Sequence, residues 1–146
     1  EFCINSSREF TNSSEIVSCL KTRNHMVHSR FRHSIARDVS RLLLKRFGSR
    51  IKSMNLFGST MEYTAGIYSD IDLIVRVSSL SGELIDTLKQ IDRHLTKEYY
   101  RLLGEESGEF SYFIDIHIIN DDPDETVHTS KPYLEYILNN NSVAVC

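Results

Sequence analysis

Residues 71–77 constrain the fold of this chain more than any other stretch. They read IDLIVRV, an almost continuous apolar run that only Asp72 and Arg76 interrupt. A run of this length, rich in β-branched residues, is typical of a strand that is covered on both faces. Since side chains two residues apart point to one face of a strand, Asp70 and Asp72 project side by side, opposite the apolar residues at positions 71, 73 and 75.

Two longer segments have the spacing of amphipathic helices. Apolar residues recur at helical intervals over residues 25–47 and again over residues 83–103, and a glycine follows each segment, as is common at helix ends. The shorter elements are predicted strands over residues 51–57 and 110–119, a short helix over 133–138 and a last strand over 143–145. This order predicts an α/β (α+β) fold, with a small mixed β-sheet and helices packed on it.

Composition limits the classes of protein that the chain fits. The 146 residues are 40% hydrophobic and 25% charged, as expected for one folded domain. The formal net charge of −3 disfavours nucleic acid as a partner, because phosphate binding in bulk needs a basic excess. Residues 21–50 depart from this balance, with nine of the seventeen Lys and Arg residues and a single acid, Asp38. We interpret them as a helix with a basic, solvated outer face.

Cysteine usage and hydropathy bear on the cellular compartment. Cys3, Cys19 and Cys146 lie near the chain ends, without the spacing of a zinc site or a disulfide framework. No apolar run approaches the roughly 18 residues of a membrane span, and no signal-peptide pattern is present. We therefore expect a cytoplasmic protein with no membrane partner. The chain begins with glutamate rather than methionine, which fits a piece of a longer protein, and residues 1–14 are predicted to be a loose lead-in.

Three acids stand in or beside apolar sequence, where an unpaired charge is costly. Asp70 and Asp72 open one predicted strand, and Asp115 lies inside another. If these strands are neighbours, the three carboxylates converge, and a divalent cation offsets their repulsion. Carboxylate oxygens suit Mg²⁺, and three such groups can hold two metals about 3.5–4 Å apart. The alternatives are hydrated carboxylates at the strand entrance and, for Asp115, an ion pair with Arg76 or with a helix lysine.

Gly58 and Ser59 follow the first predicted strand directly. A glycine there allows the backbone to approach a ligand, and a following helix would direct free N–H groups at a phosphate. The Ser59 hydroxyl adds another donor. The pair is a candidate phosphate-binding element, and an ordinary turn is the alternative.

Other polar groups have a structural interpretation. We interpret His117 as a packed or hydrogen-bonded strand residue rather than a metal ligand or a base. The acids of residues 121–125 lack the glycine and the ligand spacing of an EF-hand and are predicted to form a turn. Tyr99 and Tyr100 fit a packing stripe of the second long helix.

The combined pattern resembles the signature of the polymerase-beta-like nucleotidyltransferase superfamily, in its minimal domain type. The matching parts are a hydrophobic residue with Gly-Ser at residues 57–59, a spacer, and Asp-x-Asp inside a strand at residues 69–75. The resemblance extends upstream to residues 47–51, and downstream to Asp115 as third acid and to the last helix and strand. It implies a nucleotidyltransferase domain over residues 25–146, after an N-terminal lead-in over residues 1–24.

The resemblance also implies a reaction, in which an acceptor hydroxyl attacks the α-phosphorus of a nucleoside triphosphate and pyrophosphate leaves. By the match, Gly58 and Ser59 hold the β and γ phosphates, and Asp70 and Asp72 bind the metal pair. Asp115 binds the catalytic metal and helps to deprotonate the acceptor. The expected cofactor is Mg²⁺, with Mn²⁺ as an alternative. The expected transfer is of AMP from ATP to a protein or small molecule, with a helical partner protein or a second copy of the chain completing the acceptor surface.

Residues 60–63 depart from this pattern. Many bacterial minimal members have a small residue, an arginine and a glycine soon after Gly-Ser, whereas this chain reads TMEY. The missing arginine keeps open a second hypothesis, a weakly active or inactive binding module of the same fold, such as the antitoxin of a toxin–antitoxin pair. An RNA-tailing fragment is disfavoured by the acidic balance.

Overall fold

The computed structural model describes residues 13–108, 111–124 and 132–145. The elements are, in chain order, α1 (Ser13–Leu20), α2 (His25–Phe47), β1 (Ile51–Phe57), α3 (Gly58–Met61), β2 (Ile71–Val77), α4 (Gly82–Leu103), β3 (Ile114–Asn120), α5 (Pro132–Asn140) and β4 (Val143–Ala144). A 3₁₀ turn, Gly48–Arg50, joins α2 to β1. The predicted bounds of α2, β1 and β2 are confirmed.

The strands form one four-stranded sheet in the order β3-β2-β1-β4. Strand β1 is antiparallel to both β2 and β4, whereas β2 and β3 are parallel. Parallel neighbours need a long crossover, which α4 provides. The sheet is therefore mixed with helices packed on it, and the predicted fold class is confirmed.

Local capping explains where the two long helices begin and end. The Asn24 side chain accepts hydrogen bonds from the N–H groups of Met26 and Val27 at the start of α2. Ser81 caps α4 by accepting from the N–H of Leu84, and α4 ends at Gly104, whose φ of 74° suits glycine. In the part of the chain that the structure describes, no helix is long and apolar enough to cross a membrane.

The main core lies on one face of the sheet. Helices α1, α2 and α4 pack there against the apolar residues of β1 and β2, and the fully buried side chains include Phe31, Val39, Leu73, Val75 and Tyr99. The burial of Tyr99 confirms its predicted place in a packing stripe. On the opposite face, a smaller cluster joins Ile74 and Ile119 to Leu134 of α5.

Helix α1 was not predicted from the sequence. It lies within the segment that was expected to be a lead-in, and its residues Ile16 and Leu20 are 2% and 1% exposed in the main core. The rest of the predicted loose segment lies outside the described residues. In a helix of only eight residues, the helical spacing of buried apolar residues occurs once, between Ile16 and Leu20. One such spacing is too little to indicate a helix in the sequence.

The third strand begins later than expected. The prediction ran from residue 110 to residue 119, but β3 starts at Ile114, and Phe110 lies outside the described residues. Ser111 instead closes a turn, in which its hydroxyl accepts a hydrogen bond from the N–H of Gly108. The aromatic character of this stretch serves burial at Phe113, which is 1% exposed, rather than strand pairing at Tyr112, which is 54% exposed.

Candidate active site

Asp72 and Asp115 lie side by side on the parallel strands β2 and β3, where they are direct register partners. The expectation that these two strands are neighbours is confirmed. Both side chains lie on the face of the sheet opposite the main core, because their neighbours in sequence are the core residues. The side chain of Asp72 is 21% exposed and that of Asp115 is 47% exposed. The carboxylate of Asp72 is thus mostly buried, whereas that of Asp115 is about half exposed.

His117 completes a cluster with the two acids. Its Nε2 lies 3.2 Å from Oδ2 of Asp115 and 4.0 Å from Oδ1 of Asp72. One ligand atom from each of the three residues falls within 4.8 Å of the others. The ring packs against Phe57, with 5.3 Å between the centroids, as the packing interpretation of His117 requires. Its Nε2, however, is buried and has no hydrogen-bond partner among the described residues.

Asp70 lies one residue before β2, at the edge of this cluster. Its carboxylate is outside the group that converges, but it acts on Asp72 through its charge. The pKa of Asp72 is raised from 3.8 to about 6, first by burial and then by the charges of Asp70 and Asp115. The structure therefore brings Asp72 and Asp115 together with His117, and places Asp70 beside them.

The cluster fits a divalent cation. Two carboxylates are held together at an energetic cost, and a buried imidazole nitrogen that makes no hydrogen bond within the described residues lies 3.2 Å from one of them and 4.0 Å from the other. Carboxylate oxygens suit Mg²⁺ and Mn²⁺, and an imidazole donor favours Mn²⁺ over Mg²⁺. Asp72, Asp115 and His117 are thus the residues that could hold the metal.

Gly58 lies against the carboxylate of Asp72. Its φ is 66°, in the left-handed region that favours glycine. A Cβ built at this position would be 3.2 Å from Cγ of Asp72 and would overlap Oδ2. Both backbone conformation and space therefore require glycine. Gly58, the first residue of α3, thus lies directly beside the carboxylate of Asp72.

Arg32 holds in place the spacer, residues 60–68, which lies between Ser59 and the strand motif that begins at residue 69. This role was not predicted from the sequence. Arg32 lies on α2 but is 0% exposed, so it does not belong to the basic outer face. Its guanidinium donates to the carbonyl groups of residues 28, 67 and 69 and to the Tyr99 hydroxyl. The ring centroids of Tyr99 and Phe113 each lie 5.2 Å from its Cζ. Arg32 falls on the apolar stripe of α2, which is the sequence signal for its burial.

Further bonds fasten the spacer to its surroundings. The Thr60 hydroxyl donates to the Asp70 carbonyl at 3.3 Å, and the N–H of Ala65 donates to the Ser29 hydroxyl at 3.2 Å. The Tyr99 hydroxyl donates to the carbonyl of Ile67 at 2.6 Å. The segment that leads into Asp72 is thus held in place by hydrogen bonds that involve buried side chains.

The acids after β3 are structural. Asp121 pairs with Arg76 and with Lys52, each at 2.9 Å, and these two cations lower its pKa to about 2. Arg76 also contacts Glu135. Since Arg76 is occupied in this way, it does not form the alternative ion pair with Asp115. The N–H groups of Asp122 and Asp124 close short turns, as predicted, and Glu125 lies outside the described residues.

Comparison with known families agrees with this geometry. A family model described as a nucleotidyltransferase domain matches residues 36–138, which is more than half of the chain. The chain therefore belongs to the nucleotidyltransferase domain family. The matched region contains Gly58, Ser59 and the three acids, whereas Arg32 precedes it. No curated protein matches the chain at a significant level.

Proposed function

We propose that the protein transfers a nucleoside monophosphate, AMP from ATP, to a hydroxyl group of a protein or small molecule. Pyrophosphate is the second product. One observation carries the proposal: Asp72 and Asp115 are register partners on adjacent strands, and the backbone of Gly58 packs against the first of them. Membership of the nucleotidyltransferase domain family supports the same reaction class.

In the proposed mechanism, the residues of the chain position the substrates. Gly58 and Ser59 bind the β and γ phosphates, Asp72 and Asp115 with His117 would hold the divalent metal, Mg²⁺ or Mn²⁺, and Asp70 beside them would supply a further carboxylate for a second ion. When bound, the metal supplies positive charge to the phosphate oxygens during the displacement. Asp115 is the more exposed acid of the pair and accepts the proton of the acceptor hydroxyl. The bond from the acceptor oxygen to the α-phosphorus forms as the bond to the β-phosphate oxygen breaks.

A pyrophosphate-release assay tests the proposal. The protein is incubated with each of the four nucleoside triphosphates and Mg²⁺ or Mn²⁺, with candidate hydroxyl acceptors present. We expect release that depends on metal and is lost in Asp72→Asn and Asp115→Asn. Asp86→Asn is a matched control, because Asp86 is an exposed acid on α4. The absence of release with every nucleotide, together with no triphosphate binding by calorimetry, would refute the transferase.

The second candidate is a binding module with weak or no catalysis, such as an antitoxin. Exposed Glu62 favours it, because this segment carries an arginine in many of the minimal nucleotidyltransferases that the sequence resembles. Triphosphate binding without turnover in the same assay would support the module. For either function we propose a cytoplasmic location, and a helical partner protein or a second copy of the chain that completes the acceptor surface.

A further inference from the structure

A polar pocket lies between α2 and the segment that follows α3. It has a volume of about 260 Å³ and is lined by Arg30, His33, Ser34, Arg37 and Tyr63. None of the three acids lines it, so it is separate from the candidate active site. We refer to it as the α2 pocket.

The cations of the α2 pocket are available to a ligand. Arg30 and Arg37 are exposed, lie two helical turns apart on the same side of α2, and form no hydrogen bond or ion pair within the described residues. Other arginines of this helix are paired, Arg41 with Asp38 and Arg46 with Glu83. Two guanidinium groups at one pocket that are unpaired within the described part of the chain suit a phosphate, whose oxygens accept their N–H donors.

Tyr63 gives the pocket an aromatic wall at the cost of backbone strain. Its φ is 59°, and it is the one residue other than glycine with positive φ in the described part of the chain. A bulky side chain is strained in this conformation, and such strain marks functional positions when the surroundings enforce it.

The ring of Tyr63 is held from behind by His33. The two rings stack with 5.2 Å between their centroids and 21° between their planes. Tyr63 still exposes 46% of its surface, which leaves part of the ring for a second planar group. The Nε2 of His33 is buried without a hydrogen-bond partner among the described residues. Burial lowers the pKa of His33, so the positive charge of the pocket comes from its arginines.

We propose that the α2 pocket binds a mononucleotide, with its base stacked on the free face of Tyr63 and its phosphate bound by Arg30 and Arg37. Base stacking on aromatic side chains and phosphate binding by arginine are the two interactions that nucleotides offer together. The site is additional to the triphosphate site at Gly58 and Ser59. It does not depend on the transfer reaction.

Titration with AMP, followed through backbone amide resonances, tests this site. AMP is titrated into one sample, and α,β-methylene-ATP with Mg²⁺ is titrated into a separate sample, because the analogue carries a base and phosphates that the α2 pocket would also bind. We expect AMP to shift the resonances of His33 and Tyr63, and adenosine or inorganic phosphate alone to bind at least tenfold more weakly. If AMP leaves these resonances unmoved, or if phosphate alone binds as tightly as AMP, the nucleotide site is wrong.

Two variants and a control make the test specific. Tyr63→Gly is expected to weaken AMP binding at least tenfold while it raises the melting temperature, since it relieves strain and removes the stacking surface. Arg37→Gln is expected to weaken binding to a similar degree. Arg41→Gln, on the same helix but outside the pocket, should bind AMP within twofold of the original chain. Unchanged binding in Tyr63→Gly and Arg37→Gln would overturn the proposal.

The same spectra separate this inference from the proposed function. If α,β-methylene-ATP fails to shift the amides of Gly58 and Ser59, the triphosphate site fails while the α2 pocket stands. If it shifts them but AMP does not shift the amide resonance of Tyr63, the proposal for the α2 pocket is wrong while the triphosphate site stands.

Discussion

Asp72 is the most constrained residue of the candidate site. It is a strand residue with its carboxylate largely buried, it has two further carboxylates nearby, and the backbone of Gly58 closes one side of it. A hydrated surface acid needs none of these features. Together they describe a side chain whose charge is costly until a cation binds.

The raised pKa of Asp72 predicts how the stability of the metal-free protein depends on pH. The carboxyl has a pKa of about 6 when folded and 3.8 as its reference value. Between these values the folded protein holds a proton that the unfolded chain has released, so the free energy of unfolding falls as pH rises from about 4 to about 6. A pKa difference of this size corresponds to a loss of at most ~3 kcal/mol in the free energy of unfolding.

Urea unfolding at pH 4, 5, 6 and 7 in the presence of EDTA checks this dependence. We expect Asp72→Asn to reduce this fall and to be more stable than the original chain at pH 7, while the part due to Asp92, whose pKa is also raised by burial, remains. Asp86→Asn, the exposed control, should keep the fall. Asp121 does not interfere, because its lowered pKa affects stability only below about pH 4. An identical slope in the original chain and in Asp72→Asn would contradict the environment described for Asp72.

Gly58→Ala is predicted to cost both stability and activity. The positive φ alone costs roughly 1–2 kcal/mol for a residue with a Cβ, and the overlap with Asp72 adds about 1–3 kcal/mol. Gly104→Ala is the matched control, since Gly104 also has positive φ but nothing within 4 Å of a built Cβ. Denaturant midpoints and pyrophosphate release measure the two effects. Equal losses for the two variants would show that the contact with Asp72 is unimportant.

At the scale of elements, long periodic segments were predictable and tertiary contacts were not. The bounds of α2, β1 and β2 follow from apolar spacing and from the residues that end them. Helix α1 is too short for its period to be seen, and β3 starts late because residues 111–113 make a turn and a core contact. The three acids could be found in the sequence because they are charges in or beside apolar segments. The role of Arg32 could not, because it depends on carbonyl groups about 35 residues away.

Arg32 connects α2 to the spacer that leads into β2, and its replacement should weaken that connection. Arg32→Met leaves three carbonyl groups and a tyrosine hydroxyl without their shared donor. We expect a loss of roughly 3–5 kcal/mol in the free energy of unfolding, because several buried acceptors lose their donor at about 1–3 kcal/mol each. Arg32→Lys should also lose stability, because an ammonium cannot match the fork of donors.

Urea unfolding measures the effect of the Arg32 variants, with Arg30→Met as a control on the same helix. Arg30 is exposed, so its variant should stay within about 0.5 kcal/mol of the original chain. A loss as small in Arg32→Met would mean that the buried network is not needed to hold the spacer.

At the scale of the whole molecule, the two faces of the sheet have different roles. One face carries the main core, under α1, α2 and α4, and the other carries the acids, with the small cluster around Leu134 nearby. The acid face is where we propose that substrates meet Asp72 and Asp115. The family and the mixed sheet were predictable because the Gly-Ser and Asp-x-Asp signature spans two adjacent strands. The place of His117 was not, because its Nε2 meets the acids only after β2 and β3 pair in register.

The binding of Mn²⁺, measured by electron paramagnetic resonance, tests the central claim that these acids form a metal centre for a nucleotide. Mn²⁺ is titrated into the protein with and without α,β-methylene-ATP, and the free ion is counted from its signal. We predict one or two bound ions whose affinity increases with the nucleotide, falls at least tenfold in Asp72→Asn and Asp115→Asn, and is unchanged in Asp86→Asn. No bound Mn²⁺ in the original chain, or equal affinity in all variants, would contradict the account.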